Sequence, residues 1–550
     1  MKKNNKKLTS VLATVITGSL VLTACGGTTE KEGGSTAPAP TTAAATSSVP
    51  KTGLPLAKEL ATVKIATVII DGQPASKDIR LWQEIEKQTN VHVDFQDIAS
   101  SQWNEKKGLL FASNELPEAF IGHNILNDTD LINYGSTGQL IPLEKLIEEY
   151  APNLNKAFKE YPDLKKQITA PDGHIYAIPS FLGDYQTVKV NSPLFVNKSW
   201  LDKLGLKAPT TTDEFEQMLI AFKTKDPDGN GKQDEIPYLV HTNSGYFSNL
   251  FGAFGLHDRY STDGTAHITM KNGKAIYSLA QPEYKDAINY FHKLYAQGLI
   301  DKETFTQDSK SYNAKIKTVP RIVGVFQTWR STSWASKPEE VGDYIAIGPL
   351  KGPKDDSMWE QYPSGLSGRG AFAITKASKN SELLMRWLDN VISDDNQMQM
   401  ANAGRFGDYL EKTADGKVKL LRALNPSNPE EAKNTPGNAS RINFMTKSNS
   451  ERLVDLTAVY KEKREFDKLY EAHFFKEVMP NIFFSQEEAQ QIATFGKDIN
   501  TYANSMYAKW IMEGGVDKDW DGYLKKLNDM GLNNFVGVFQ KALDRYNSMK

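Results

Sequence analysis

The chain has 550 residues, with 65 basic against 67 acidic side chains, a net charge of −2 and a single cysteine. That length exceeds what one compact core usually holds, so two lobes are expected. No basic block or stripe is present, which sets nucleic acid aside as a partner, and one cysteine rules out a disulfide framework.

Four lysines (Lys2, Lys3, Lys6, Lys7) precede an apolar stretch from Leu8 to Leu22, which runs into Leu22-Thr23-Ala24-Cys25. A basic start, a short apolar core and small residues before a cut make a secretory leader over residues 1–24. It is too short and too interrupted for a stable membrane span. The ending resembles the lipobox of bacterial lipoproteins. That resemblance implies that Cys25 becomes the lipidated first residue of an exported chain, held on the outer face of the cytoplasmic membrane. From Gly26 to about Ala57 the composition is Gly, Ser, Thr, Ala and Pro with almost no large apolar residue. Such a segment buries too little surface to fold, so residues 25–58 read as the lipidated cysteine plus a flexible tether. Roughly 30 residues of this kind reach about 30 Å.

Order is expected to begin with a β-branched strand from Ala61 to Ile70, followed by helical spacing from Lys77 to Thr89 (Ile79, Trp82, Ile85). Val91 to Phe95 then alternates as a second strand. Strand, helix and strand within about 35 residues make a βαβ unit, which predicts a parallel sheet with helices on its faces and an α/β fold class. Further strands are predicted at Ala119 to Gly122, Leu194 to Asn197 and Arg321 to Phe326. Asn272-Gly273, between two short alternating runs, predicts a hairpin over Met270 to Tyr277. From Glu451 onward the pattern is mostly helical.

Several phrases occur in order along the chain: Leu116-Pro117-Glu118, Tyr134 to Leu143, Asp172 to Pro179, Val196 to Gly205 and Pro209 to Phe215. Near the C-terminus, Trp520-Asp521-Gly522-Tyr523-Leu524 and Met530-Gly531-Leu532 extend the series. Each has a scaffold reading. Asp172-Gly173 supplies a tight turn before a strand ending at Ile178-Pro179, and Pro209-Thr210-Thr211-Thr212 with Asp213-Glu214 is a capped helix start. Together they resemble the extracellular solute-binding proteins (family 1) of carbohydrate ABC importers, in particular the large lipoprotein branch of Gram-positive bacteria, over nearly all of the chain from about residue 60. The resemblance implies a two-lobed periplasmic-binding-protein type II fold. Each lobe would be a mixed sheet flanked by helices, with ligand held in the cleft between them. Chain crossings are expected near Val188 to Phe195, near Trp359 to Ser364 and after about Phe406. The lobes would then comprise residues 59–190 plus 361–410 and residues 191–360 plus 411–550.

The sharpest chemical motif is Asp226-Pro227-Asp228-Gly229-Asn230-Gly231-Lys232-Gln233-Asp234-Glu235. Oxygen-bearing side chains at positions 1, 3, 5 and 9, with glycine at position 6, match the front of an EF-hand loop. Asp226, Asp228, Asn230 and Asp234 are expected to ligate calcium by side chain and Lys232 by its carbonyl, with Glu235 as a further carboxylate. The glutamate of position 12 is missing, since Pro237 follows Ile236, and this argues for a structural site over a regulatory sensor. The alternative is a solvated Asx-rich turn. Alginate-binding receptors of the same family resemble the chain in carrying such a loop.

Sugars offer apolar C–H faces and rings of hydroxyls, so their sites pair aromatic platforms with planar polar side chains. Trp329, Arg330 and Trp334 follow the predicted strand ending at Phe326 and are candidate ligand contacts; the stretch from Gln327 to Trp334 resembles the position at which sugar-binding members of the family place a stacking aromatic, which implies that role for Trp329 first. Tyr185, before the first crossing, and Arg369, after the second, are further candidates, as is His123 beyond the strand predicted to end at Gly122. Trp103, Tyr246 and Phe406 are weaker ones. Arginine in the cleft would suit a uronate, because a guanidinium grips a carboxylate through two bonds. The competing reading for Arg369 is a structural salt bridge.

The expected function is that of a lipid-anchored, monomeric receptor. It would capture an oligosaccharide, uronate-containing ones included, and deliver it to the permease subunits of an ABC transporter. One rival is a lipid-anchored carbohydrate hydrolase, which needs two carboxylates across a cleft. The other keeps the fold and changes the cargo to a peptide. No G-x-S-x-G elbow, H-E-x-x-H pair or Walker loop occurs, so the chain is expected not to be an enzyme, and ATP hydrolysis falls to a separate subunit.

Overall fold

The computed structural model describes residues 49–549, except 184–188, 191, 242–247, 260–264, 362–364, 402–403, 426–427 and 455–457. The leader, Cys25, Tyr185 and Tyr246 therefore lie outside the described residues. Among the described residues, no helix is long and apolar enough to cross a membrane.

Fourteen strands are named in chain order. They are β1 (Ala61–Ile69), β2 (Val91–Ala99), β3 (Ala119–Leu126), β4 (Ile178–Leu182), β5 (Leu194–Asn197), β6 (Ile236–Tyr238), β7 (Ile268–Lys271), β8 (Lys274–Tyr277), β9 (Val323–Gln327), β10 (Tyr344–Ile347), β11 (Leu366–Ile374), β12 (Leu410–Lys412), β13 (Val418–Leu420) and β14 (Phe444–Met445). The βαβ reading holds: β1 runs parallel to β2, in register from Ala61 opposite Val91 to Ile69 opposite Ala99, with the helix Arg80–Thr89 between them. That helix ends on Asn90 at φ 57°, a left-handed cap that asparagine tolerates. The Asn272-Gly273 hairpin is present, with both residues at positive φ (53° and 72°), as a type I′ turn requires.

Two mixed sheets carry the architecture. One has the order β14-β4-β11-β3-β1-β2, the other β10-β5-β9-β6. The first encloses a core that includes Ile65, Ile121, Phe372 and Trp387. The second shares a core with the C-terminal helices Gln486–Glu513, Val516–Asp529 and Leu532–Ser548, through residues such as Tyr284, Phe291, Trp510 and Tyr523. These helices form where the sequence pattern turns helical. Their first is closed by a capping box in which Ser485 accepts from the Glu488 N–H and Glu488 accepts from the Ser485 N–H. The predicted cap at Thr211 is of the same kind: its hydroxyl accepts from the Glu214 N–H, and the Glu214 carboxylate accepts from both Thr210 and Thr211.

Three local readings change. β3 continues past Gly122 to Leu126, so His123 is a residue within the strand. Pro179 does not end a strand; β4 begins at Ile178, and proline is accommodated by an irregular register with β11 between Gly368 and Phe372, since it has no N–H to donate. β14 pairs with β4, so the chain remains with the six-stranded sheet to Met445, beyond the crossing expected near Phe406. A two-residue strand carries too little pattern to be read from sequence.

Candidate functional site

The helix Ala458–Tyr470 organises the region where the predicted ligand contacts fall. Its inner face anchors three separate segments. The Tyr470 hydroxyl accepts from the Leu194 N–H at the start of β5 (3.0 Å) and donates to the Ile347 carbonyl at the end of β10 (2.6 Å). One turn earlier, Asp467 accepts from the Val190 N–H (3.0 Å), in the same segment that leads into β5. Glu462 accepts from the Ser331 N–H in the loop after β9 (2.9 Å). Between these polar anchors Phe466 stands edge-on to Phe195 at 5.3 Å, fixing the helix against the second sheet.

The loop after β9 carries Trp329. Its side chain is 37% exposed, and the Lys463 ammonium lies 3.5 Å from the ring centroid. The indole is thus held from one side and open to solvent, as a stacking platform requires. Arg330 is half-buried beside it and adds positive potential at Lys463. Burial lowers the Lys463 ammonium to about 7 against the opposing pull of Glu462 and Asp467.

Trp334 has the other role open to a tryptophan. It is 1% exposed, enclosed by Phe195 (4.6 Å), Phe326 (5.6 Å) and Tyr344 (5.6 Å), and its indole N–H donates to the Glu340 carbonyl. A ring so enclosed has no face for a ligand, and the expectation for it is corrected to core packing. Trp103 is likewise core: buried, edge-on to Phe120, with its N–H on the Ile125 carbonyl. Arg369 is also corrected. Its guanidinium is buried and spent on the Gln167 carbonyl, the Asp128 carboxylate and the carbonyl and side-chain oxygen of Asn481, with Phe483 beneath it at 4.7 Å. It braces β11 to the segment that leads into the C-terminal helices, so it is not available to grip a uronate.

His123 lies on the six-stranded sheet with its Nδ1 buried and without a hydrogen-bond partner; burial first, then Arg441, lowers its ring below the usual histidine range. Phe406 lines a surface cavity of about 560 Å³ beside β12, under the Lys412 ammonium at 5.0 Å.

Two groups between β10 and β11 were missed from sequence. Trp359 is buried against Tyr470 (4.9 Å), its backbone N–H donates to the His473 carbonyl (2.8 Å), and its indole N–H is buried without a hydrogen-bond partner among the described residues. The next residue, Glu360, has its carboxyl pushed up to about 8 by burial, with Arg259 acting against that shift. The adjacency to Trp359 was its only signal. Arg259 follows Asp258, which is bound by His267 (3.0 Å) and Ser278, and no sequence pattern marks it.

Asp226 to Glu235 fold as a tight loop. Asp226 accepts from the N–H groups of Gly229, Asn230 and Gly231, and the two glycines sit at φ 78° and 73°. Asn230 bridges Asp228 and Asp234 through its amide (2.8 and 3.0 Å) and accepts from the Lys232 N–H. Carboxylate oxygens of Asp226, Asp228 and Glu235 lie within 4.8 Å of one another. Glu235 Oε1 is buried without a hydrogen-bond partner, and burial followed by Asp228, Asp226 and Asp234 raises its carboxyl. Converging hard oxygens with an orphaned carboxylate fit a divalent cation of the calcium type.

With both sheets and this geometry in place, comparison with known proteins is direct. Residues 72–398 match the bacterial extracellular solute-binding protein family, and the chain belongs to that family. It is 33% identical over 509 residues to the fructooligosaccharide ABC transporter substrate-binding protein FusA of Streptococcus pneumoniae serotype 4, covering 90% of this chain and 92% of FusA. Lipoprotein LipO of Bacillus subtilis is 28% identical, over 66% of this chain and 70% of its own. The structure of S. pneumoniae FusA with kestose aligns at a TM-score of 0.70 and 31% identity over 89% of this chain and all of that one; an EF-hand mutant of FusA with fructo-nystose aligns at 0.69. A solute-binding protein of Bifidobacterium longum subsp. infantis aligns at 0.77 and 26% identity, over 88% of this chain and 98% of its own. The fold is the two-lobed one of solute-binding proteins, as expected.

The two tryptophans after β9 differ in a way that stability measures. Trp334→Ala is expected to cost about 3–5 kcal/mol by opening a cavity, whereas Trp329→Ala should cost about 1 kcal/mol or less. Urea unfolding of both variants checks this; equal losses would contradict the assigned burial.

Proposed function

We infer that the protein captures a short neutral oligosaccharide of the fructan type and delivers it to the permease subunits of an ABC importer. The end-to-end correspondence with FusA carries this reading. An exposed indole at the end of β9 supports it, because such a ring stacks on the C–H face of a sugar. Sequestration of Arg369 favours a neutral cargo over a uronate. The chain acts as a monomeric receptor and not as a hydrolase, tethered outside the cytoplasmic membrane through lipidated Cys25 and the linker that follows. One lobe comprises the segments of the six-stranded sheet, roughly residues 59–183 and 366–454, and the other those of the four-stranded sheet with the C-terminal helices. Ligand closes them on each other about the helix Ala458–Tyr470.

Thermal shift of the calcium-loaded protein against kestose, nystose and a trigalacturonate tests the reading. A ligand at about 100-fold its Kd stabilises by about 2.7 kcal/mol, so the fructans should raise Tm by several degrees while chromatography shows no turnover. A shift with the uronate alone, or sugar cleavage, would contradict it.

Calcium at Asp226, Asp228, Asn230, the Lys232 carbonyl, Asp234 and Glu235 would neutralise converging carboxylates and hold the loop between the helix Thr212–Thr224 and β6. Its role is structural. EDTA should lower Tm, added calcium should restore it, and Asp226→Ala should abolish the response with sugar affinity changed less than threefold, roughly 0.6 kcal/mol. A Tm unmoved by EDTA would refute the site.

A further inference from the structure

The inner face of Ala458–Tyr470 contains one group that its anchoring role does not use. Lys463 is 1% exposed, and among the described residues its ammonium has no hydrogen-bond partner. A buried cation without an acceptor is costly, and a side chain of this length normally snorkels to water. Lys463 instead places its ammonium over the Trp329 ring, 3.5 Å from its centroid, with Phe466 a more distant ring at 5.7 Å. The neighbouring residue on the same helix, Glu462, holds the Trp329 loop through the Ser331 N–H. Two consecutive residues thus fix one loop, one by its backbone and one by its ring.

We propose that Lys463 is a positioning residue for ligand binding: its buried ammonium uses the inner face of Trp329 as its acceptor and so holds the indole with the outer face presented to a sugar ring. Lys463 does not touch the sugar, because the indole stands between them. The proposal rests on the reading of Trp329 as the sugar platform. It has a consequence for pH. The groups facing the ammonium are Glu462 and Asp467 on its own helix and Arg330 from the loop after β9, with Lys189 from the first crossing acting on Asp467. Burial outweighs the two acids and brings the ammonium down to about 7. As pH rises through that value the proton leaves, the attraction to the ring is lost, and the platform loosens. Ligand affinity therefore falls with rising pH, although a neutral oligosaccharide has no titrating group of its own.

The test uses the calcium-loaded protein, Lys463→Met, which keeps length and removes charge, and Lys463→Arg, which keeps charge at every accessible pH. In sugar-free protein the Trp329 indole N–H resonance, assigned by its loss in Trp329→Phe, should move with a midpoint near 7. It should stay fixed in both lysine variants. Kestose affinity should fall about tenfold between about pH 6 and about pH 9 in the unmodified protein, a size between those of an exposed and a fully desolvated cation–π contact. It should be flat and weak in Lys463→Met, and flat and near the low-pH value in Lys463→Arg. A fixed indole resonance in the unmodified protein, or Lys463→Met binding kestose as tightly as the unmodified protein at about pH 6, would overturn the proposal. Absence of kestose binding at any pH would instead overturn the sugar reading, and the sugar-free titration would still decide whether Lys463 holds Trp329.

Discussion

The Tyr470 hydroxyl, accepting from Leu194 and donating to Ile347, is the bond on which the arrangement of the site depends. It ties the start of β5 to the end of β10, and it does so from a helix that also holds Val190 and Ser331. Each such bond contributes only about 1 kcal/mol net, but a buried partner left unpaired costs about 1–3 kcal/mol. The asymmetry matters more than the sum. A helix that satisfies three separate segments at once keeps their relative placement, because shifting any of them strands a buried polar group.

This constraint connects packing to recognition. Phe466 seats the helix on the aromatic cluster of Phe195, Phe326, Trp334 and Tyr344, and Trp334 serves function only by filling that cluster. Trp329, five residues earlier, emerges from the same loop on the open side. The loop thus divides its two tryptophans between core and solvent. On the six-stranded sheet, Arg369 holds Asn481 and Asp128 and braces the sheet to the segment leading into the C-terminal helices. Its charge is used for architecture, which removes the main argument for an acidic cargo.

What the sequence disclosed follows from the range of the interactions involved. The calcium-type loop was legible because its oxygens lie within ten consecutive residues and its glycines mark the turns locally. The βαβ start, the Asn272-Gly273 hairpin and the Thr211 cap were legible for the same reason. The sequence favoured Trp329 over Trp334 as a platform only by resemblance and left both as ligand candidates, since the burial of Trp334 is decided by tertiary contacts with Phe195 and Tyr344. Lys463 carried no signal at all: a lysine in a charged helical run reads as solvated until tertiary packing encloses it. Glu360 and Arg259 were hidden likewise, and β14 was too short to show a period.

The central claim is that Trp329 forms the sugar platform with Lys463 behind it. A crystal structure of the calcium-loaded protein with kestose tests it most directly. A sugar ring stacked on the Trp329 face opposite the Lys463 ammonium is the predicted result. Kestose bound elsewhere with that face bare, or Lys463 withdrawn from the indole to bond the sugar itself, would contradict it.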